Sequence, residues 1–379
     1  MISREVYKLA FSAFFADLGY QTAVVMFPLI FVIILKTPIW LYGVAEALNY
    51  GLGSFMGLIG GIMGDRFGRK KMAVLGNSII VFISLLGFSK NWWEALLIFM
   101  IPWWFRNFRS PIRRSMITEV TSEKERVKAF GILHSLDIGG AILAITYTSI
   151  LLYFKFPIEY LLLITSIPII ISTALLSVSN AGKITYKRKT IFKGNDKIII
   201  LLIISTTLFG LSQYSFGFPI ITTALFTHEN YLAVISYGIF LTASSFFGLI
   251  YSRTRINEFM GLGFLGYLIA SISSLGFAFL SPLGIKGIYP MAFLLGASVA
   301  SAETFEPSII SIFSKKESIG ENMGLLTFGR SIGIFTSNFI MGFLYQIKYY
   351  YAYYFSSIAS IVAFFIVVYI IISQGRNND

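Results

Sequence analysis

The chain has 379 residues, 56% hydrophobic and only 13% charged, with a mean hydropathy of +0.76. Soluble domains carry about a quarter charged residues, so the composition argues against a soluble globular protein. The net charge of +12 raises nucleic acid as a partner, but no basic patch interleaved with aromatics occurs, and cysteine is absent, which removes disulfides, thiol catalysis and cysteine metal sites.

Long apolar runs such as LIFVIILK and SSIASIVAFFIVVYIII point to membrane helices. A helix needs about 20 apolar residues to cross a bilayer, and lipid leaves open backbone groups unsatisfied. The breaks between runs predict an all-α membrane protein of about twelve spans: 9–35, 39–64, 72–89, 93–117, 127–154, 158–180, 198–225, 231–252, 258–281, 286–310, 321–347 and 350–373. No cleavable leader is expected, because MISREVYKLAFSAFF runs straight into span 1.

With the N-terminus inside, 22 of the 30 Lys and Arg fall in cytoplasmic segments. Five, Lys36, Lys90, Lys155, Lys286 and Lys348, fall in outer loops. Arg106, Arg109 and Arg330 stay within spans. This bias is the positive-inside rule, and it accounts for the net charge without nucleic acid. It predicts a multi-pass cell-membrane protein with both termini in the cytoplasm. The basic stretch 181–197 divides it into an N-terminal six-helix bundle, 1–180, and a C-terminal one, 198–379. Gly19 and Pro28 in span 1 answer to Gly210 and Pro219 in span 7, and Gly131 to Gly324, at a shift of about 192 residues. Duplicated six-helix halves are a transporter signature.

Charges within spans are costly, about 2.5–3.5 kcal/mol each on insertion scales, and so need a reason. Span 1 carries Asp17, about 12 Å deep. Span 2 carries Glu46, span 4 Arg106 and Arg109, span 5 His134 and Asp137, span 10 Glu303 and Glu306, and span 11 Arg330. Spans 3, 6, 9 and 12 carry none, as expected if they face lipid while the others line a polar cavity. Asp137 and Arg330 hold equivalent places in the two halves and are candidates to pair between them. Arg106, Arg109 and Arg113 share a helix face. Trp103, Trp104 and Phe105 flank Arg106 and are candidates to line a substrate site. Prolines 102, 111, 219 and 307 predict bends.

Span 2 ends in GGIMGDRFGRKK, with small residues Gly53, Gly57 and Gly61 on one face and Gly60, Gly64 and Gly68 beside them. Asp65 at a helix C-terminus opposes the dipole and calls for a cationic partner. Gly61, Asp65, Arg66, Gly68, Arg69 and Lys70 together form a candidate cytoplasmic gate. This stretch resembles G-x-x-x-D-R-x-G-R-K, the signature between spans 2 and 3 of the major facilitator superfamily. The second copy between spans 8 and 9 is reduced to Gly248 and Ser252-Arg253-Thr254-Arg255, without an aspartate. ADLGYQTAVVMFP and RSPIRRSMITEV with RVKAFG are similar to a prokaryotic branch that reads as multidrug or small-molecule exporters. Where that branch has a glutamate four residues after the span 1 aspartate, this chain has Gln21. Ala144 and Ile145 replace the Gly-Pro of the antiporter pattern in span 5.

The resemblance implies two pseudo-symmetric six-helix bundles and a secondary active transporter of small organic molecules, an antiporter working by alternating access and exporting against protons. The expected proton-coupling and cavity residues are Asp17, Gln21, Glu46, Arg106, Asp137, Glu303 and Arg330. Two alternatives stand beside this reading: an uptake carrier for an anionic metabolite, favoured by the arginines, and a ligand sensor or scaffold on a transporter fold. No enzymatic activity, cofactor or metal is expected. GLGFLG lies inside apolar span 9 without the strand a dinucleotide site needs, and no Walker A, HExxH or GxSxG motif occurs. The expected partners are a small-molecule substrate, protons and membrane lipids, with the chain acting as a monomer.

Overall fold

The computed structural model describes residues 3–182, 197–254, 256–313 and 319–375. All regular structure among them is helical, in twelve spans. They are Arg4–Ile34, 39–67, Arg69–Phe88, Trp92–Glu119, Glu123–Tyr153, Ile158–Ser177, Ile198–Thr227, Asn230–Tyr251, Glu258–Leu283, Ile285–Phe313, Ile319–Ile347 and Tyr349–Gly375. Among the described residues, nine stretches are long and apolar enough to cross a membrane. The remaining three rods, spans 2, 4 and 11, are long enough but carry glycines and arginines. The basic linker falls mostly on 183–196, outside the described residues, as do Arg255, Lys315, Lys316 and Arg376.

Span ends follow from local chemistry. Pro28 lacks an N–H, and the turns after it widen into a π-helical stretch, Leu29–Ile34. The helix then stops at Lys36, with φ 52°. Lys155 after span 5 and His228 after span 7 adopt the same left-handed conformation, each with φ 56°. A cation at a helix C-terminus is favoured by the dipole, so Lys36 and Lys155 have a local reason to lie where they do. Gly68, with φ 98°, makes the break between spans 2 and 3. Asn91 caps span 4, its side chain accepting from the Glu94 N–H at 3.2 Å.

Span 7 is interrupted. Helix Lys197–Ser212 stops, residues 213–216 are not helical, and Gly217–Thr227 resumes. Pro219 sits in the first turn of the second piece, where its missing N–H costs nothing. The Ser215 carbonyl bonds instead to the Phe218 N–H at 3.2 Å. Spans 4 and 10 contain prolines 102, 111, 290 and 307 but stay continuous.

The described chain forms two units, divided along the sequence within the linker, with one segment of span 2 belonging to the second. One unit holds residues up to 37 and from 52 through the first half; the other holds 38–51 and the second half. Span 2 thus contributes to both, and a π-helical turn, Leu48–Leu52, marks the transition.

The first unit has a core of Val6, Leu9, Ala13, Phe108, Ile112, Met116 and neighbours from spans 1, 3, 4, 5 and 6. The second is centred on Phe209, Leu262, Tyr267, Phe305, Val367 and Ile370. In each, small residues let helices approach. A side chain on Gly140 would collide with the Phe14 carbonyl, and one on Gly333 with the Thr207 carbonyl. Gly140 and Gly333 are 193 positions apart, and so are Phe14 and Thr207. The duplication read from sequence is therefore a duplication of contacts.

Spans 3, 6, 9 and 12 expose large apolar side chains, among them Phe82, Ile167, Ile170, Phe279, Phe365 and Ile372. Their inner faces are not silent. Asn77 of span 3 donates to Thr173 at 2.7 Å and Ser172 at 3.1 Å, both on span 6.

Candidate functional site

The seven cavity residues expected as one set fall into three clusters, one in the first unit and two in the second. In the first unit, span 1 puts Asp17, Tyr20 and Gln21 on one face, and Asp17 is buried. One carboxylate oxygen, Oδ1, accepts from the Tyr20 hydroxyl at 2.5 Å and from Gln21 Nε2 at 3.2 Å. The other, Oδ2, has no hydrogen-bond partner among the described residues. Asp137 of span 5 stands beside Asp17 and acts on it directly. Gln21 therefore serves as a neutral donor where a glutamate would add a third carboxylate to this pair.

The three arginines of span 4 share a face but fan out to three helices. Arg106 Nε donates to the Tyr20 hydroxyl at 3.3 Å, and its guanidinium lies over the Trp103 ring at 5.0 Å and the Tyr20 ring at 5.5 Å. Arg109, 1% exposed, donates to Asn77 of span 3. Arg113 donates to Asp137 at 3.2 Å. Two carboxylates thus face three guanidiniums within one bundle. Like charges so close disfavour double ionisation, and the arginines favour it. An apolar recess of about 480 Å³, lined by Phe15, Leu18, Tyr147, Ile164 and Pro168 among others, opens on spans 1, 5 and 6 and does not include Asp17.

In the second unit, Arg330 of span 11 binds two carboxylates of span 10, Glu303 and Glu306. Glu306 is wholly buried and also accepts from Thr206 and from Tyr267, each at 2.7 Å. Asp137 and Arg330, at equivalent positions, are both paired within their own units. Each finds an opposite charge on the preceding span of its own unit, where a short reach costs less side-chain entropy.

Glu46 forms the third cluster. It accepts from Asn49 Nδ2 at 3.0 Å and is surrounded by Tyr42 and Ser215. Ser215 lies in the interruption of span 7, and its N–H donates to Asn338 of span 11 at 2.8 Å. Among the described residues, His134 is exposed and joins none of these clusters, and His228 serves as a helix terminus.

The GGIMGDRFGRKK stretch closes on itself. Arg69 donates to Asp65 at 2.7 Å and 3.0 Å, so the cation the helix dipole called for is supplied one turn later. Arg69 also lies 3.9 Å from Glu119 of span 4, which accepts from the Gly182 N–H at 3.0 Å. Arg66 lies over Phe67 at 5.3 Å, and Lys70 is half-buried. The expected glycine faces need correction. Gly53, Gly60 and Gly64 pack on Asn107, Phe108 and Ile112 of span 4, whereas Gly61 meets nothing within 4 Å. A 3.6-residue repeat carries Gly61 off the face that Gly53 and Gly60 define.

Tyr20, Asn77, Asn49, Ser215, Asn338, Tyr267 and Glu306 carry much of this architecture and were not among the expected site residues. Glu306 had signalled itself as a charge within a span, and Asn77 stands in an otherwise apolar one; the rest offered no signal.

The family model of the Major Facilitator Superfamily matches residues 9–337. Among solved structures, the nucleoside transporter NupG is similar over 96% of this chain and 99% of its own, with a TM-score of 0.80 and 13% identity. A peptide transporter POT is similar over 98% and 95%, with a TM-score of 0.78 and 14% identity. A POT family transporter in complex with 5-aminolevulinic acid has a TM-score of 0.76 at 13% identity, over 98% and 96%. At such identities the likeness is one of fold. Among curated protein sequences the chain has no significant match. With the match spanning most of its length and the fold in agreement, the chain belongs to the major facilitator superfamily, a family of multi-pass membrane transporters.

Proposed function

We propose that the protein is a proton-coupled secondary carrier of small organic molecules, with Asp17 and Asp137 as the proton-exchanging pair. The supporting observation is Asp17 itself: a buried carboxylate with one oxygen unpartnered, a second carboxylate beside it and three arginines around the two. Arg106, caged by Tyr20 and Trp103, orients the solute or the Asp17 proton. Asp65, Arg66, Gly68, Arg69 and Lys70 form the cytoplasmic gate, with Gly61 on its open side. Both termini lie in the cytoplasm of a cell-membrane protein, as the cation distribution supports. The two six-helix halves are the working domains, and the functional unit is a single chain in contact with lipid.

The direction of transport is export, with protons entering as the solute leaves. A second reading, uptake of an anionic solute, is favoured by the excess of guanidiniums over carboxylates at Asp17. Dye efflux separates them in cells lacking their own pumps. Efflux that stops when a protonophore collapses the gradient supports the first reading. Accumulation of an organic acid, lost in Arg106→Ala, supports the second. Absence of flux for every dye and acid in a broad panel would sink both.

A further inference from the structure

Segment 38–51 lies in the second unit, and its contacts there form one continuous face. The Ile39 N–H donates to Gln346 at 2.9 Å, and Trp40 stacks on Phe343 at 5.7 Å. Gly43 packs on Gly342 and the Asn338 carbonyl, and Gly51 on Phe335. Tyr42 meets Phe218 edge to face at 5.4 Å, and its hydroxyl lies 3.4 Å from Ser215 Oγ. Every one of these contacts is apolar or neutral. The exception within the segment is Glu46, 3% exposed.

The surroundings of Glu46 differ from those of every other buried acid described. Asp17 has Arg106 near it, and Glu306 has Arg330. The groups acting on Glu46 are Ser215, Asn49 and Tyr42. The titratable groups nearby are Tyr42 and Tyr50 of its own helix; span 7 supplies Ser215 and span 11 supplies Asn338, both neutral. The Asn49 carbonyl oxygen is buried and unpartnered, so the pocket holds an acceptor that lacks a donor. Asn49 Nδ2, Ser215 and Tyr42 offer hydrogen bonds to the carboxylate but no cation to offset its burial, whereas a protonated Glu46 brings a donor to a pocket whose Asn49 oxygen lacks one.

We propose that Glu46 is a second proton-binding site, whose protonation docks segment 38–51 onto spans 7 and 11 and whose ionisation releases it. Water supplies the proton, which forms the O–H bond on the Glu46 carboxylate and returns to water on release. The π-helical turn Leu48–Leu52 just after Glu46 is the place where the segment can shift without unfolding the rest of span 2. This inference deepens the proton-coupled reading and rests on it for the identity of the coupling ion.

The absence of cysteine makes the test direct. Ala47, 1% exposed and one turn beyond Gly43, is replaced by cysteine, and maleimide labelling is followed in proteoliposomes from acidic to alkaline medium. The same cysteine in a Glu46→Gln background, which cannot ionise, cancels the intrinsic rise of thiolate with pH. The two proteins should label equally in acid. In alkaline medium labelling of the Glu46 protein should exceed that of Glu46→Gln several-fold, since about nine-tenths of the Glu46 carboxylates are ionised one pH unit beyond the midpoint. A ratio near one at all pH values overturns the proposal. If Glu46→Gln does not fold, Ala359→Cys on span 12 becomes the reference. A steeper pH dependence at Ala47→Cys then supports release, and equal slopes overturn it. The readout needs no substrate. A flat labelling ratio together with proton-driven efflux that depends on Asp17 would remove this inference and leave the transport reading in place.

Discussion

The two units contain the same ion pair with its sign reversed. Span 4 gives Arg113 to Asp137 of span 5; span 10 gives Glu306 to Arg330 of span 11. Glu306 follows Arg113 by 193 positions, and Arg330 follows Asp137 by 193, the offset at which Gly333 repeats the packing of Gly140. A cation and an anion in either order hold these two helices together, so this contact reads as scaffold. What lacks a counterpart is more telling. At the same offset, Asp17 is answered by Gly210, Arg106 by Val299 and Arg109 by Ala302. In the first unit, Asp17, Arg106 and Arg109 are charges that the duplication did not need, kept at the costs that buried charges carry. The comparison sets the repeated pair, which holds two helices together, apart from the charges proposed to work in transport.

The comparison can be broken most forcefully at Arg330. Arg330→Ala leaves Glu306 charged and fully buried, and should cost about 3–5 kcal/mol in unfolding of the detergent-solubilised protein. The matching Arg113→Ala should cost less, about 1–3 kcal/mol, because the Asp137 side chain is 29% exposed and water can reach it. Equal losses would show that burial does not distinguish the two pairs. The glycine contacts sharpen the symmetric side. Gly140→Val and Gly333→Val each force a methyl pair against a carbonyl and should each cost about 1–3 kcal/mol, alike in both units. The smallest effect belongs to Glu303→Ala. That side chain is 60% exposed, and after allowance for screening its bond to Arg330 should be worth about 0–1 kcal/mol in the same assay.

Much of this was legible in the sequence because bilayer physics is blunt. Twelve apolar runs gave the spans to within a few residues, and the offset between Gly19 and Gly210 announced the duplication. The charged site residues were legible for a related reason, since a charge inside a span has few innocent explanations. Their neutral partners were not. Tyr20, Asn77 and Tyr267 look like ordinary core or interfacial residues until a neighbouring helix places a charge against them. Helical spacing tells which residues share a face, but not which helix that face meets. For this reason the arginines of span 4 looked like one cluster and proved to have three different partners. The assignment of 38–51 to the second unit was equally hidden, because nothing in a continuous helix states where it changes neighbours.

The central claim is that Asp17, and not the repeated ion pairs, couples transport to protons. Asp17→Asn keeps the hydrogen bond from Tyr20 in reach and removes the exchangeable proton. Protonophore-sensitive dye efflux should be measured for it and for the wild type, at matched membrane levels. The account predicts that Asp17→Asn loses proton-driven efflux while its unfolding temperature stays near that of the wild type. Undiminished, protonophore-sensitive efflux by Asp17→Asn would contradict it.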